Sequence, residues 1–370
     1  MISDKKITNN PLPLTVSIEP NNICNAKCSF CAYGKEKRVL ESIRADDRAI
    51  LDKRPKQHIS PKILDHVFDL CEKSGAGVLR KFSISPNFGE VSVSRNWVDM
   101  IKRAKSNCGI DNVSSYTNAI TLNRTGIDNL INSGIDNLEI STSLVDRDSY
   151  KRLYGRDKYD QVMNNIIELL SKNKKAGFPI DIYINLRIDL PIDDFLASDI
   201  YSTLVEYIEE RKISYLTSYD TFGGTIKDGD LPVGAVFIDR KNNKGKPQCS
   251  QLYKTLYVNI DGEIQACKCI PHPSLSVGNI LDYNTLESAW RNSDYERIRN
   301  SWGNDGILPE ACVTCTHYMP YDILRGYYSY LSKVRSYIRS AISGTFLFSF
   351  YKEKIKRNSK LKVSDMNNDY

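Results

Sequence analysis

Short β-branched runs alternate with longer amphipathic ones from residue 12 to about residue 220, and that alternation limits the fold more than any other feature of this 370-residue chain. "PLTVSIEP" reads as a strand ending at Glu19, and "SPKILDHVFDLCEKSG" as a helix with Ser60 as N-cap, Pro61 in its first turn and Gly75 as its stop. The strand "VLRKFSIS", the helix "RNWVDMIKRAKSN" and the strand "NVSSYTN" follow, then the helix "TLNRTGIDNLINSG" and the strand "NLEISTS". A long helix around "YDQVMNNIIELLSKNKKAG", the strand "PIDIYINLRI", the helix "FLASDIYSTLVEYIEERK" and the strand "ISYLTS" complete the series. Six strands separated by helices require a parallel sheet, because each crossover returns the chain to the same end. In parallel α/β barrels the reactive groups gather at the C-terminal ends of the strands. From about Tyr219, "YDTFGGTIKDGDLPVGA" breaks the rhythm with turn residues and reads as a hinge into a second module.

The first strand runs directly into "ICNAKCSFCAYG", where Cys24, Cys28 and Cys31 fall within eight residues. Three cysteines leave one over in any disulfide pairing, and a structural zinc site normally wants a fourth ligand nearby. Three thiolates in one tight loop suit an iron–sulfur cubane that keeps one iron free of protein. A second set follows in the later module: Cys249, then Cys267 and Cys269 in "LYVNIDGEIQACKC", then Cys312 and Cys315 in "PEACVTCTHY". Asp261-Gly262 supplies a hairpin turn that returns a strand ending at Cys267. By residue type alone this second set also suits a four-cysteine zinc site, since CxC and CxxC are zinc spacings too. Cys71 and Cys108 lie in helix patterns and read as core, and the four histidines show no ligand spacing.

Bulk properties narrow the setting. Apolar residues make up 41% and charged residues 26%, an ordinary globular composition, and the net charge is +6. No apolar run is long enough to span a bilayer, and the first residues lack the apolar segment of a signal peptide. Ten cysteines without an export signal point to a reducing cytoplasm, where clustered cysteines bind metal more often than they pair.

The chain resembles the radical S-adenosylmethionine (radical SAM) enzymes that carry a C-terminal auxiliary-cluster domain of the SPASM/twitch type. Cys24-Asn-Ala-Lys-Cys28-Ser-Phe30-Cys31 fits the CxxxCxΦC hallmark, with Phe30 as its aromatic. The resemblance implies a 4Fe–4S cluster on Cys24, Cys28 and Cys31, with exchangeable S-adenosylmethionine on the fourth iron. Phe88-Gly89-Glu90-Val91 resembles the family's Gly-Gly-Glu-Pro stretch but lacks its first Gly and its Pro. It implies that Glu90 accepts from the methionine ammonium while Gly89 lets the backbone approach. "YTNA" resembles the end of the third strand, with Asn118 in place and Ala119 where the family has Gly. Ser141 in "NLEISTS" takes a SAM-contacting position, and Arg187 at the end of the fifth strand matches a basic residue used for SAM or substrate. With no cysteine after Cys315, the resemblance implies a single auxiliary 4Fe–4S cluster on Cys249, Cys267, Cys312 and Cys315. Cys269 is then a surplus, and "VGNILDYNTLESAWRNSDYERIR" resembles the family's linker helix.

These readings give a partial (β/α)6 TIM-like barrel over residues 12–220, a linker over 221–248 and an auxiliary-cluster domain over 249–320. A helical basic tail over 321–370 completes the chain. The implied activity is reductive cleavage of S-adenosylmethionine and hydrogen abstraction from an unactivated carbon, fed by a donor such as flavodoxin or ferredoxin. The cysteine spacing is similar to that of the 2-deoxy-scyllo-inosamine dehydrogenases, which implies oxidation of a sugar- or cyclitol-like molecule. A peptide-modifying maturase is the second reading, and a zinc-binding interaction protein the one outside enzymes. No nucleic-acid partner is expected, because basic residues interleaved with aromatics occur only in the tail. There Leu324, Tyr328, Leu331, Tyr337 and Ile338 suit a helix packed on the barrel, a partner helix or an interfacial membrane contact.

Overall fold

The structure, a computed structural model, describes residues 12–31, 56–74, 79–106, 110–220, 226–239, 241–268, 272–303 and 306–320. The stop at Gly75, the core reading of Cys108, the surplus Cys269 and the basic tail lie outside them.

Six parallel strands form in sequence order: β1 (Thr15–Ile18), β2 (Lys81–Ile84), β3 (Asn112–Thr117), β4 (Asn137–Thr142), β5 (Asp181–Leu186) and β6 (Ile213–Tyr215). Between β1 and β2, helix α1 (Pro61–Lys73) begins as its sequence dictates, Ser60 accepting from the Ile63 N–H and Pro61 filling the first turn. Its Cys71 is buried in the core. Helix α2 (Trp97–Ser106) follows β2. The single helix expected over residues 121–134 is two, α3 (Leu122–Thr125) and α4 (Ile127–Ile131), because Gly126 at φ 82° breaks the ladder between them. Helices α5 (Arg147–Tyr154) and α6 (Tyr159–Lys175) join β4 to β5. The helix expected over 195–212 is likewise split, into α7 (Ile192–Leu196) and α8 (Asp199–Val205). A two-stranded ribbon, β7 (Ser218–Tyr219) with β8 (Val236–Phe237), leads onward.

The second module extends the same sheet. Strand β9 (Thr255–Val258) pairs in parallel with β1, and β10 (Glu263–Gln265) returns antiparallel beside it. Gly262 at φ 80° makes the turn read from Asp261-Gly262. Strand β11 (Ser276–Asn279) closes the nine-stranded order β11-β10-β9-β1-β2-β3-β4-β5-β6. The stretch expected as one linker helix is therefore β11 followed by α9 (Leu286–Trp290) and α10 (Ser293–Asn300), with α11 (Glu310–Val313) beyond them. One apolar core runs from Val16 through Trp290 to Cys312. No helix among the described residues is long and apolar enough to cross a membrane.

The strands alternate more sharply than those of a parallel sheet covered on both faces. Along β4, Leu138, Ile140 and Thr142 are buried, whereas Asn137, Glu139 and Ser141 are only partly covered. Strand β5 repeats the pattern, with Ile182, Ile184 and Leu186 buried and Asp181, Tyr183 and Asn185 less so. The apolar set packs in the core, so the polar set lies on the opposite face of the sheet.

Candidate active site

The cysteine loop after β1 is braced from three sides. Lys27 N–H donates to Tyr154 O (2.9 Å) and Ser29 N–H to Leu153 O (2.8 Å), so the end of α5 serves as a backbone rail. Gly155 makes that approach possible: it sits at φ 62°, and a Cβ there would lie 2.5 Å from Lys27 O. Asn118 Nδ2 donates to Asn25 Oδ1 (2.7 Å), and Asn25 Nδ2 to Thr121 Oγ1 (3.1 Å). The loop following β2 supplies the third side. Glu90 N–H bonds Ile23 O at 2.9 Å, and Asn21 Nδ2 bonds Glu90 O at 2.9 Å and Ser94 Oγ at 2.7 Å. Gly89 presses so close to Asn21 that a Cβ would meet its carbonyl at 2.6 Å.

Glu90 has work of its own in the fold. Its Oε1 accepts from Ser92 N (3.0 Å), Ser92 Oγ (2.6 Å) and Thr117 Oγ1 (2.5 Å), and its Oε2 from Asn118 N (2.8 Å). Burial pushes this carboxyl up while those four bonds pull the other way. The carboxylate therefore locks the end of β3 to the loop after β2, and only Oε2 keeps room for a further donor. Ala119, where the family motif has Gly, adopts φ 64°, a left-handed conformation costly for a residue with a Cβ.

Within this frame the thiols of Cys24, Cys28 and Cys31 lie close enough that each pair interacts electrostatically. Desolvation pushes Cys28 well above the usual thiol range, and it raises Cys24 too, although that residue keeps an exposed surface. Beside them lies Arg187, its guanidinium 4.8 Å over the Phe30 ring, with Nη1 donating to Ser141 Oγ at 2.5 Å. Phe30 is packed edge-on against Tyr154 (5.5 Å) and tilted against Tyr219 (5.8 Å). Arg187 Nε is buried and has no hydrogen-bond partner.

The second set also converges. Cys249, Cys267, Cys312 and Cys315 interact pairwise in all combinations, although they come from three places in the chain. Burial pushes the Cys249 and Cys312 thiols up, and Cys315 to about 11. Asn243, 1% exposed, holds the CxxC turn: its Nδ2 donates to Cys312 O (2.9 Å) and Cys315 O (3.0 Å). Asp220 accepts from Thr316 Oγ1 beside Cys315. Below this site Arg299, 3% exposed, lies 4.1 Å over Trp290 and 4.0 Å over Tyr295, whose hydroxyl donates to Ala266 O at 3.1 Å. Among the described residues no three Cys, His, Asp or Glu side chains are arranged to hold a single metal ion. Two all-cysteine donor sets of three and four thiols suit iron–sulfur cubanes by their chemistry, and the orphaned Arg187 Nε calls for negative charge at the first site.

Residues 18–187 match the model of the radical SAM superfamily, and residues 249–316 that of the SPASM iron–sulfur cluster-binding domain. It carries a radical SAM domain followed by a SPASM domain. Both cysteine sets fall inside those matches, so the zinc-binding interaction reading gives way to iron–sulfur chemistry. A probable GTP 3',8-cyclase of Thermoplasma volcanium is 21% identical over 77% of this chain and 89% of its own. Among solved structures, BtrN in complex with AdoMet and 2-DOIA aligns at TM-score 0.46 and 12% identity, over 79% of this chain and 88% of that one. Streptococcus suis SuiB bound to its precursor peptide SuiA aligns at TM-score 0.52 and 15% identity, over 78% of this chain and 67% of that one.

In this radical SAM chain the polar face of the sheet links the two cysteine sets. Glu139 feels Arg187 from the first site and Lys268, the neighbour of Cys267, from the second. The Lys268 ammonium lies 5.6 Å over Tyr116 and 5.9 Å over Tyr257. Asn185 Nδ2 donates to Glu139, and Ser214 Oγ to Asn185 Oδ1. Burial raises the Glu139 carboxyl, against the pull of Tyr116, Arg187, Lys81 and Lys268. Deeper on the same face, Ser17, Ser83 and Ser114 share one rung of neighbouring strands. The sequence reading missed Glu139, Asn243, Gly155 and Glu19, whose Oε1 accepts from the N–H groups of Asn87 (2.9 Å) and Phe88 (3.0 Å). Only Glu19 carried a signal, a lone carboxylate at the end of a strand pattern.

Proposed function

We propose that this radical SAM enzyme oxidises a sugar- or cyclitol-like molecule bound on the polar face between its two cysteine sets. The observation that carries the reading is the chemistry of that face. Ser17 Oγ and Ser114 Oγ are buried without hydrogen-bond partners, and Glu139 and Asn185 stand above them only partly covered. A ligand bearing several hydroxyls satisfies such groups, whereas an apolar one leaves them unpaired. A 4Fe–4S cluster on Cys24, Cys28 and Cys31, with S-adenosylmethionine, would supply hydrogen abstraction from an unactivated carbon, and one on Cys249, Cys267, Cys312 and Cys315 would accept an electron. The chain's own residues do the rest. Gly89, Glu90, Asn118 and Ser141 shape and orient the S-adenosylmethionine pocket, and Phe30 with Tyr154 and Tyr219 keeps water from the first site. Glu139, its carboxyl raised by burial, is placed to take the hydroxyl proton as a carbinol becomes a carbonyl.

A peptide substrate is the second reading, since SuiB shares the fold and is solved with its precursor peptide. The test is S-adenosylmethionine cleavage by the anaerobically reconstituted enzyme, supplied with flavodoxin or ferredoxin, against a panel of cyclitols, aminocyclitols and short peptides. The polyol reading expects a ketone product and one S-adenosylmethionine consumed per turnover. Stimulation by peptides alone overturns it.

A further inference from the structure

Arg187 is a half-buried cation, its Nε fully covered, for which the folded chain provides a seat but no counter-charge. Its Nη1 bonds are to a hydroxyl, Ser141 Oγ at 2.5 Å, and to a carbonyl, Asn185 O at 3.4 Å. Its Nε is buried and bonded to nothing. The ring of Phe30, inside the CxxxCxΦC loop, supports the guanidinium at 4.8 Å, and its main electrostatic partners are Tyr154, which also makes a polar side-chain contact with it, then Tyr219 and Cys28. No carboxylate among the described residues forms an ion pair with it; Glu139 feels its field from farther off. A desolvated guanidinium persists when something nearby carries negative charge. Here that is the cluster that Cys24, Cys28 and Cys31 would hold, not the metal-free thiols.

We propose that Arg187 is the counter-cation of the first iron–sulfur cluster, seated on Phe30 and Ser141, and that it sets the cluster's reduction potential. An oxidised cubane held by three thiolates carries one unit of negative charge, and reduction by a one-electron donor doubles it. A fixed positive charge stabilises the reduced form more than the oxidised one, so it raises the potential. Arginine suits the place because it remains charged when buried and stacks flat on an aromatic ring. This inference rests on the iron–sulfur assignment and not on any substrate.

The measurement is a potentiometric EPR titration of the anaerobically reconstituted full chain without S-adenosylmethionine, using dithionite as the reductant. The Cys24, Cys28, Cys31→Ala variant identifies which signal belongs to which cluster. Arg187→Met is expected to make the first cluster at least tenfold harder to reduce, a downward shift of about 59 mV for a one-electron couple. The second cluster should stay where it was. Arg187→Lys should recover part of the shift, and Phe30→Leu, which keeps the charge but removes its seat, should show a smaller fall. If Arg187→Met and Arg187→Gln both lose the first cluster while Arg187→Lys keeps it, the charge is required and the proposal stands. An unchanged midpoint in Arg187→Met at full iron content overturns it.

Discussion

The two cysteine sites solve one coordination problem in opposite ways. The first draws Cys24, Cys28 and Cys31 from a single loop, so its ligands are together before the chain folds. Folding adds the bracing: the α5 rail, the Asn118–Asn25 bond, the Glu90 lock and the Arg187 cation. The second draws Cys249, Cys267, Cys312 and Cys315 from separate segments, so the site exists only once β9 has joined β1 and Asn243 has captured the CxxC turn. A local ligand set is cheap to assemble and leaves a coordination position open. A dispersed set pays chain entropy at each closure and ends with all four positions filled by protein. On the proposed reading, the first arrangement suits a site that binds and releases a small molecule, the second a site that only passes electrons.

The largest effect should come from removing the local set. Cys24, Cys28 and Cys31 changed together to Ala should abolish S-adenosylmethionine cleavage and halve the iron content, leaving the second cluster's EPR signal. If the second signal vanishes too, the sites are not independently assembled and the contrast between them fails. Next comes Asn243→Ala, which removes both carbonyl ties of the CxxC turn and should cost about 1–3 kcal/mol. It should strip the second cluster selectively while S-adenosylmethionine cleavage persists, read as iron content beside 5′-deoxyadenosine yield.

Acid should sharpen the comparison further. Burial raises Cys315 to about 11 and lifts Cys28, Cys249 and Cys312, while the more exposed Cys24 is also raised, so these metal-free thiols are protonated at neutral pH. Binding iron must expel those protons, so falling pH favours the metal-free form, and rising pH the cluster. The second site, with four thiolates to reprotonate against three, should lose its cluster over a narrower pH range, followed by visible absorption under anaerobic conditions. The smallest effect is expected at Gly155→Ala. The left-handed backbone alone predicts a loss of about 1–2 kcal/mol, to which the close approach to Lys27 O adds, seen as a lower Tm and faster loss of the first cluster alone.

What the sequence alone determined were features encoded between near neighbours. The alternation of strand and helix required parallel pairing, Ser60-Pro61 started α1 where it was read, and the spacing of Cys24, Cys28 and Cys31 named the chemistry of the first site. Local signals failed where one residue overrode its segment, as Gly126 did in dividing α3 from α4. The tertiary structure decided everything that depends on residues distant in sequence. It joined β9 to β1, so that the second module continues the barrel's sheet. It spent the carboxylate of Glu90 on Thr117 and Asn118, set Arg187 on Phe30, and brought Glu139 within the fields of both Arg187 and Lys268. Such pairings leave no mark in either local segment, because their free energy is gained only when packing has already brought the two segments together.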